Sequence, residues 1–392
     1  MGGMVFPIYL DDNATAPIFP EVADTVREAL LRYRGNPSSQ HALGREARRA
    51  LDDGRDEVLQ LLGARPGRDR VVFTSGGTEA NNLALFGLAP SSDGERADNP
   101  RPPGMVISAA EHASVERASR VQQSHGWRVE RAPLLPDGTI SGSALEAMAE
   151  DSLDLVSLAH AHGETGVIQP LADLCRRIRA RTRVVHTDAV QTVGKIPVHF
   201  GDLGVDALTC AAHKFRGPLG IGMLLLREGV RLEPQIWGGY QQSGMRAGTE
   251  PVALVLGLRD ALALSLRHLA ADSLRVAALR DRFEHRLLGE IPDAVAVGSD
   301  APRLPNTSNV AFPGCDRQAL VMALDLEGVA CSTGSACASG SSEPSSAHVA
   351  MGLPEAIWKG AVRFSFGTGH TPDDADAAVA RILLVHRRLR RS

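Results

Sequence analysis

The sequence predicts an α/β fold: a large domain on a mostly parallel sheet, followed by a smaller α+β domain. Three observations lead there. Short β-branched runs recur along the first two thirds of the chain, helical patterns separate them, and the alternation stops near Pro251.

The strands come first. Val71-Val72-Phe73, Met105-Val106-Ile107, Leu155-Val156-Ser157-Leu158, Val184-Val185-His186, Ala207-Leu208-Thr209 and Ile221 to Leu226 are short, largely apolar, β-branched runs that read as buried strands. Between them lie amphipathic stretches such as Leu171 to Arg181, with Leu174 and Ile178 on one face. From Pro251 two helical segments are predicted, about Pro251 to Leu269 and Ser273 to Leu288. Strand candidates follow at Ala294 to Val297 and Asn309 to Phe312, then a helix from Arg317 to Glu327. The chain closes with a strand at Val362 to Phe366 and a helix from Pro372 to about Leu389, N-capped by Thr371. The boundaries fall at 16–262 for the large domain and 263–392 for the small one, which also takes residues 1–15. Pro90 to Pro103, rich in Ser, Asp, Arg, Asn and Pro, is the least ordered segment expected.

Composition excludes several classes. The 392 residues are 43% hydrophobic and 22% charged, which rules out disorder and a disulfide miniprotein. A net charge of −4 gives no general footprint for direct nucleic-acid binding. The Arg-rich end (Arg387, Arg388, Arg390, Arg391) complements a helix C-terminus instead. No window approaches the ~20 apolar residues of a membrane helix. Met1 to Leu10 carries no Lys or Arg, and Asp11-Asp12 follow, unlike a signal peptide; a cytoplasmic protein is expected. The five cysteines include no Cys-x-x-Cys pair, which argues against a disulfide framework and a metal set. Lys195, Lys214 and Lys359 are the only lysines, so chemistry that needs a primary amine has few candidates.

Four segments carry chemistry. Ser75-Gly76-Gly77-Thr78-Glu79 follows a strand; its glycines allow close backbone approach and the helix start attracts an anion, so it reads as a phosphate cradle with Gly77 and Thr78 in it. It lacks the ending of a P-loop, and alone it fits an ordinary turn. His186-Thr187-Asp188-Ala189-Val190-Gln191 puts Asp188 at a buried strand end, where a carboxylate needs a partner such as a protonated pyridine nitrogen. Read alone, Asp188 suits a helix N-cap equally well. Ala211-Ala212-His213-Lys214 follows another strand, with Lys214 26 positions after Asp188; a lysine there can form a Schiff base, where the alternative is a surface lysine. The carboxyl ends of parallel strands are where such sheets bind ligands. The three combine as a pyridoxal phosphate site. Last, Cys331 to Ser342 surrounds Cys337 with Gly, Ser, Thr and Ala, which predicts an exposed, travelling nucleophile, whereas Cys331, beside Val329 and Ala330, reads as a buried packer.

On these motifs the chain resembles the cysteine desulfurases of the class V aminotransferase-like, fold-type I pyridoxal phosphate family. Tyr9 to Thr15, Gly35-Asn36-Pro37-Ser38-Ser39, Phe73 to Asn82, Glu111 to Val115, Gly244 to Thr249, Gly334-Ser335-Ala336-Cys337 and Glu343-Pro344-Ser345 all match, essentially from end to end. The resemblance implies a pyridoxal phosphate-dependent transferase-like large domain. It implies that His112 stacks on the cofactor ring and shuttles protons, Gln191 meets the ring hydroxyl, and His213 and Thr78 the phosphate. Thr249 would reach the neighbouring subunit's cofactor, hence a homodimer. Arg363 would hold the carboxylate of L-cysteine, with Asn36 nearby. Lys214 would take the α-proton, and Cys337 would accept the sulfur as a persulfide for a sulfur-acceptor protein.

Two departures stand out. His162-Gly163-Glu164 replaces the usual Asn-Asn-Glu, and Gly163 cannot make the amide contact. Ala211 replaces the usual Ser, removing a phosphate hydrogen bond worth ~1.5–3 kcal/mol if nothing replaces it. His160 and His162 alternate as metal ligands can, but no third ligand accompanies them. An aminotransferase, a selenocysteine lyase and a non-catalytic sulfur-relay scaffold are the rival readings.

Overall fold

The computed structural model describes residues 7–88, 102–334 and 345–390. The chain opens with β1 (Ile8–Tyr9), α1 (Pro20–Arg32) and α2 (Ala42–Leu61). Then β2 (Arg70–Thr74), α3 (Gly77–Gly87), β3 (Gly104–Ser108), α4 (Ala113–Ser124) and β4 (Arg128–Ala132) alternate. The alternation continues through α5 (Gly142–Met148), β5 (Leu153–Ala159), α6 (Leu171–Ile178), β6 (Thr182–Asp188), β7 (Ala207–Ala211) and β8 (Gly222–Leu226).

These strands form one seven-stranded sheet in the order β2-β8-β7-β6-β5-β3-β4. Only β8 runs against its neighbours. The reason for the largely apolar strands is visible in their packing. Val71 and Phe73 enter one core while Val72 enters the opposite one; Val106 and its neighbours Met105 and Ile107 divide the same way. With helices on both faces the strands are mostly apolar on either side, and the buried polar row Ser157, His186 and Thr209 is satisfied by hydrogen bonds within itself. The six co-directional strands therefore send their carboxyl ends to one edge.

A long helix, α7 (Val252–Glu290), leaves this unit. Two separate helices were expected here, and the structure has one, about 58 Å long at 1.5 Å per residue. Apolar periodicity lapses around residues 267–275 because the helix there crosses between two cores: Val252 to Leu262 pack in the first, Val276 to Leu287 in another. Ala270-Ala271 contains no breaker, so the helix continues through the gap.

The second core lies under β9 (Val295–Ala296), β10 (Thr307–Ala311), α8 (Arg317–Leu326) and β11 (Val329–Ala330). After α9 (Ser346–Ala350) and α10 (Glu355–Trp358), β12 (Ala361–Ser365) and α11 (Pro372–Leu389) complete it. Thr371 caps α11 in a reciprocal capping box with Asp374. A three-stranded antiparallel sheet runs β12-β10-β9, and β1 pairs in parallel with β11, so the chain's start belongs to this second unit. Among the described residues no helix is long and apolar enough to cross a membrane.

Candidate active site

The strand ends converge on a cavity of about 460 Å³. Gly77 and Thr78 come from the start of α3 after β2, Glu111 and His112 from the turn after β3, and His162 to Glu164 from beyond β5. Asp188 and Gln191 follow β6, and Ala211, His213 and Lys214 follow β7. Arg363 reaches the same space from β12 of the small sheet.

Asp188 is buried, 8% exposed, at the last position of β6. Its carboxylate accepts from Asn81 Nδ2 at 2.7 Å and from the Val190 amide at 2.9 Å. No cation among the described residues pairs with it. Asn81 stands one helical turn after Gly77, on the face of α3 turned to the sheet, and its amide also meets Ser114 Oγ. Beside Asp188, Glu111 receives the Ala159 amide at 2.8 Å. Burial, and then the charge of Asp188, raise the Glu111 pKa well above the ordinary range.

Lys214 sits in the 3₁₀ turn after β7 and donates to the Asn13 and Ala14 carbonyls at 2.6 and 2.8 Å. Burial, seconded by Arg363, brings its ammonium from 10.5 down to about 8, with Asp11, Asp188 and Asp12 pulling the other way. His213 is lowered to about 4 by burial and the neighbouring lysines, so it is a neutral ring, with Nδ1 on Thr15 Oγ1. His112 caps α4: its Nδ1 takes the Ser114 amide and hydroxyl, leaving Nε2 as the free nitrogen.

Arg363 donates to Asp11 at 2.6 Å and to the Gly163 carbonyl at 3.0 Å, while its buried Nε has no partner. Gly163 thus contributes a carbonyl, and a Cβ built on it would lie 3.3 Å from Gln191 Nε2. His160 and His162 spend Nδ1 on Thr192 and on Thr165 respectively. Among the described residues no group of three His, Cys, Asp or Glu could hold a metal.

Asn36, expected near the substrate, lies outside this cavity, as does Thr249, whose expected place is at a neighbouring subunit's cofactor. Asn36 is exposed, its Oδ1 closing a turn onto the Ser38 amide, and Thr249 is exposed after the 3₁₀ turn at 241–244. Cys337 lies outside the described residues, but Thr333, Ser345 and Ser346, the described residues near either side of it, line the cavity. Cys331 packs against the second core, and burial pushes its thiol far up.

Three residues were given no role by the sequence reading, although Asn13 and Asn81 lie in the stretches that match the family. Asn13 receives Lys195 and Asn306 on Oδ1 and donates to Gly163 and Thr307. Lys195 is buried and also donates to Gln191 Oε1 at 2.9 Å. Asn81 holds Asp188. For Lys195 and Asn81 the signal was present as i+4 spacing from Gln191 and Gly77.

These residues fit pyridoxal phosphate. Gly77 and Thr78 line the cavity at the start of α3, where the first helical amides suit a phosphate, and a Cβ on Gly77 would crowd Val190 at 3.0 Å. The unpaired buried carboxylate of Asp188 suits a pyridinium nitrogen, and the softened amine of Lys214 suits an aldehyde.

Comparison with known proteins agrees. The family model described as Aminotransferase class-V matches residues 8–378. A cysteine desulfurase of Cereibacter sphaeroides is 40% identical over 370 residues, 94% of this chain and 93% of its own. An IscS-like cysteine desulfurase of Mycobacterium tuberculosis is 38% identical over 375 residues, 95% and 94% of the two chains. Among solved structures, a NifS-like protein superposes with a TM-score of 0.88 at 29% identity, covering 98% of this chain and 100% of its own. SspA in complex with cysteine does so with a TM-score of 0.78 at 28% identity, covering 91% and 98%. The chain belongs to the aminotransferase class-V family, among its pyridoxal phosphate-dependent cysteine desulfurases.

Proposed function

We propose that this chain converts L-cysteine to L-alanine and carries the sulfur as a persulfide on Cys337 to an acceptor protein, working as a cytoplasmic homodimer. The observation that carries the reading is the meeting of Lys214, Asp188, His112, Gly77 and Arg363 around one cavity.

Pyridoxal phosphate, when bound, supplies an aldehyde that captures amines and a ring that withdraws electrons from the α-carbon. Gly77, Thr78 and His213 would hold its phosphate, Asp188 its ring nitrogen, Gln191 its hydroxyl and His112 its face. Arg363 binds the cysteine carboxylate through the fork that now meets Asp11 and Gly163. Lys214, with a pKa near 8, is basic enough to take the α-proton and is partly unprotonated at neutral pH. The Cys337 thiolate attacks the substrate sulfur. The carbon–sulfur bond breaks, its electrons and a proton go to the β-carbon, and alanine leaves with Cys337 bearing S–SH. His112 Nε2 is placed to exchange the protons. Thr249, exposed on its own subunit, would reach the partner's cofactor. The acceptor would serve iron–sulfur cluster assembly, tRNA thiolation or DNA modification.

The test is product analysis. Holoenzyme given cysteine should release alanine and gain 32 Da on the peptide carrying Cys337 under non-reducing conditions. Pyruvate or a transaminated keto acid in place of alanine, or sulfur found on Cys331, would sink the reading.

A further inference from the structure

Lys195 lies just behind the cavity, 8% exposed, and does not line it. Its ammonium donates to Asn13 Oδ1 at 2.7 Å and to Gln191 Oε1 at 2.9 Å. Burial disfavours that ammonium and the buried Asp12 carboxylate near it favours it, so an apolar residue in the same space would leave Asp12 without that cation. Nor could an apolar residue choose between the two ends of an amide. An ammonium offers only donors, so it admits only the oxygen ends of Gln191 and Asn13. Gln191 Nε2 is thereby turned away from Lys195, onto the Asn13 carbonyl at 3.2 Å. That carbonyl is the one that receives Lys214 Nζ at 2.6 Å. Asn13 is turned likewise by Lys195 and Asn306, which both donate to its Oδ1: its Nδ2 meets the Gly163 carbonyl at 3.2 Å, beside Arg363.

On pyridoxal phosphate the aldehyde and the hydroxyl occupy neighbouring ring carbons. An amine for the first and a donor for the second must lie side by side, as Lys214 Nζ and Gln191 Nε2 do on one carbonyl. We propose that Lys195 is a positioning residue that sets the Gln191 and Asn13 amides, so that Gln191 presents its donor to the cofactor hydroxyl next to Lys214. The inference rests on the cofactor reading above. It also supplies a role for Asn13 in a site where residue 163 is Gly: Asn13 holds the Gly163 carbonyl that Arg363 also meets.

Apoprotein of the full chain, titrated with pyridoxal 5′-phosphate, tests this without turnover. Lys195→Met and Gln191→Ala should each weaken cofactor binding about tenfold. Each should move the pH midpoint of the bound cofactor's visible band, in the same direction. The double variant should be no worse than either single, because one residue acts through the other. Lys195→Gln, which keeps a buried polar group but both donates and accepts, carries the same test if the methionine variant does not fold. Wild-type affinity with an unmoved midpoint in both Lys195 variants would overturn the proposal, as would fully additive losses in the double. A wild-type chain that takes up no pyridoxal phosphate at all would overturn the cofactor reading instead, a separate and distinguishable result.

Discussion

The sharpest consequence of the site's electrostatics concerns Lys214. An ordinary lysine, pKa 10.5, is about one part in three thousand free base at pH 7, whereas one near 8 is about a tenth free base. Roughly 300-fold more nucleophile is therefore ready to capture the cofactor. Mixing apoprotein with pyridoxal phosphate and following the visible band should give a rate that climbs about tenfold per pH unit below 8 and flattens above it. The same shift bears on stability. The unfolded lysine keeps its ordinary pKa and the folded one is lowered, so between about 8 and 10.5 the unfolded chain binds more protons. Apoprotein stability must rise with pH across that window, by about 3 kcal/mol from this group. Urea unfolding of wild type and Lys214→Met should diverge by that amount between pH 8 and 10.5. A capture rate still climbing tenfold per unit at pH 9 to 10, or parallel stability curves for the two proteins, would refute the lowered pKa.

Other outcomes follow from the same geometry. Cys337→Ser should keep the cofactor's yellow colour and respond spectrally to cysteine, yet make neither alanine nor persulfide; Cys331→Ser should stay active, since that thiol packs in the second core. Asn81→Ala leaves a buried Asp188 oxygen without its donor and should cost the apoprotein about 1–3 kcal/mol in urea unfolding, an unchanged midpoint counting against the pairing. Gly163→Asn should be tolerated, with cysteine turnover unchanged or raised, because Gly163 is not in a left-handed conformation and the new Cβ asks Gln191 to yield only a few tenths of an ångström. A folded, cofactor-loaded variant that loses most activity would show that Gln191 cannot yield.

The sequence was legible where the chemistry is local. Gly77-Thr78, Asp188 and Lys214 each lie within a few residues of a strand end, and burial of both sheet faces makes those strands easy to recognise. What it hid is long-range. Lys195 meets Asn13 across 182 positions, and Arg363 meets Asp11 across 352. No periodicity encodes such a pairing, because it is made by the packing of one unit on another. The continuity of α7 was hidden for a related reason. Its middle faces neither core, so the apolar pattern that marks a helix fell silent while the helix went on.

These long-range contacts explain how Arg363, proposed to hold the substrate carboxylate, can stand in a cavity built by another sheet. Arg363 rides on β12, which pairs with β10 of the second unit, while the cofactor residues ride on the large sheet. Asn13, leaving β1, is bonded to both: Asn306 and Thr307 on one side, Lys195 and Gly163 on the other. Arg363 then closes the circuit through Asp11 and the same Gly163 carbonyl. A planar guanidinium held at both terminal nitrogens has its orientation fixed before any substrate arrives, and that lowers the ordering cost of binding a carboxylate. The Asp11 charge works in the opposite sense, because it already neutralises the arginine that the substrate must share. Orientation is thus gained at the expense of raw attraction. That balance favours a small amino acid held mainly through its bond to the cofactor, with the arginine deciding which way its carboxylate points.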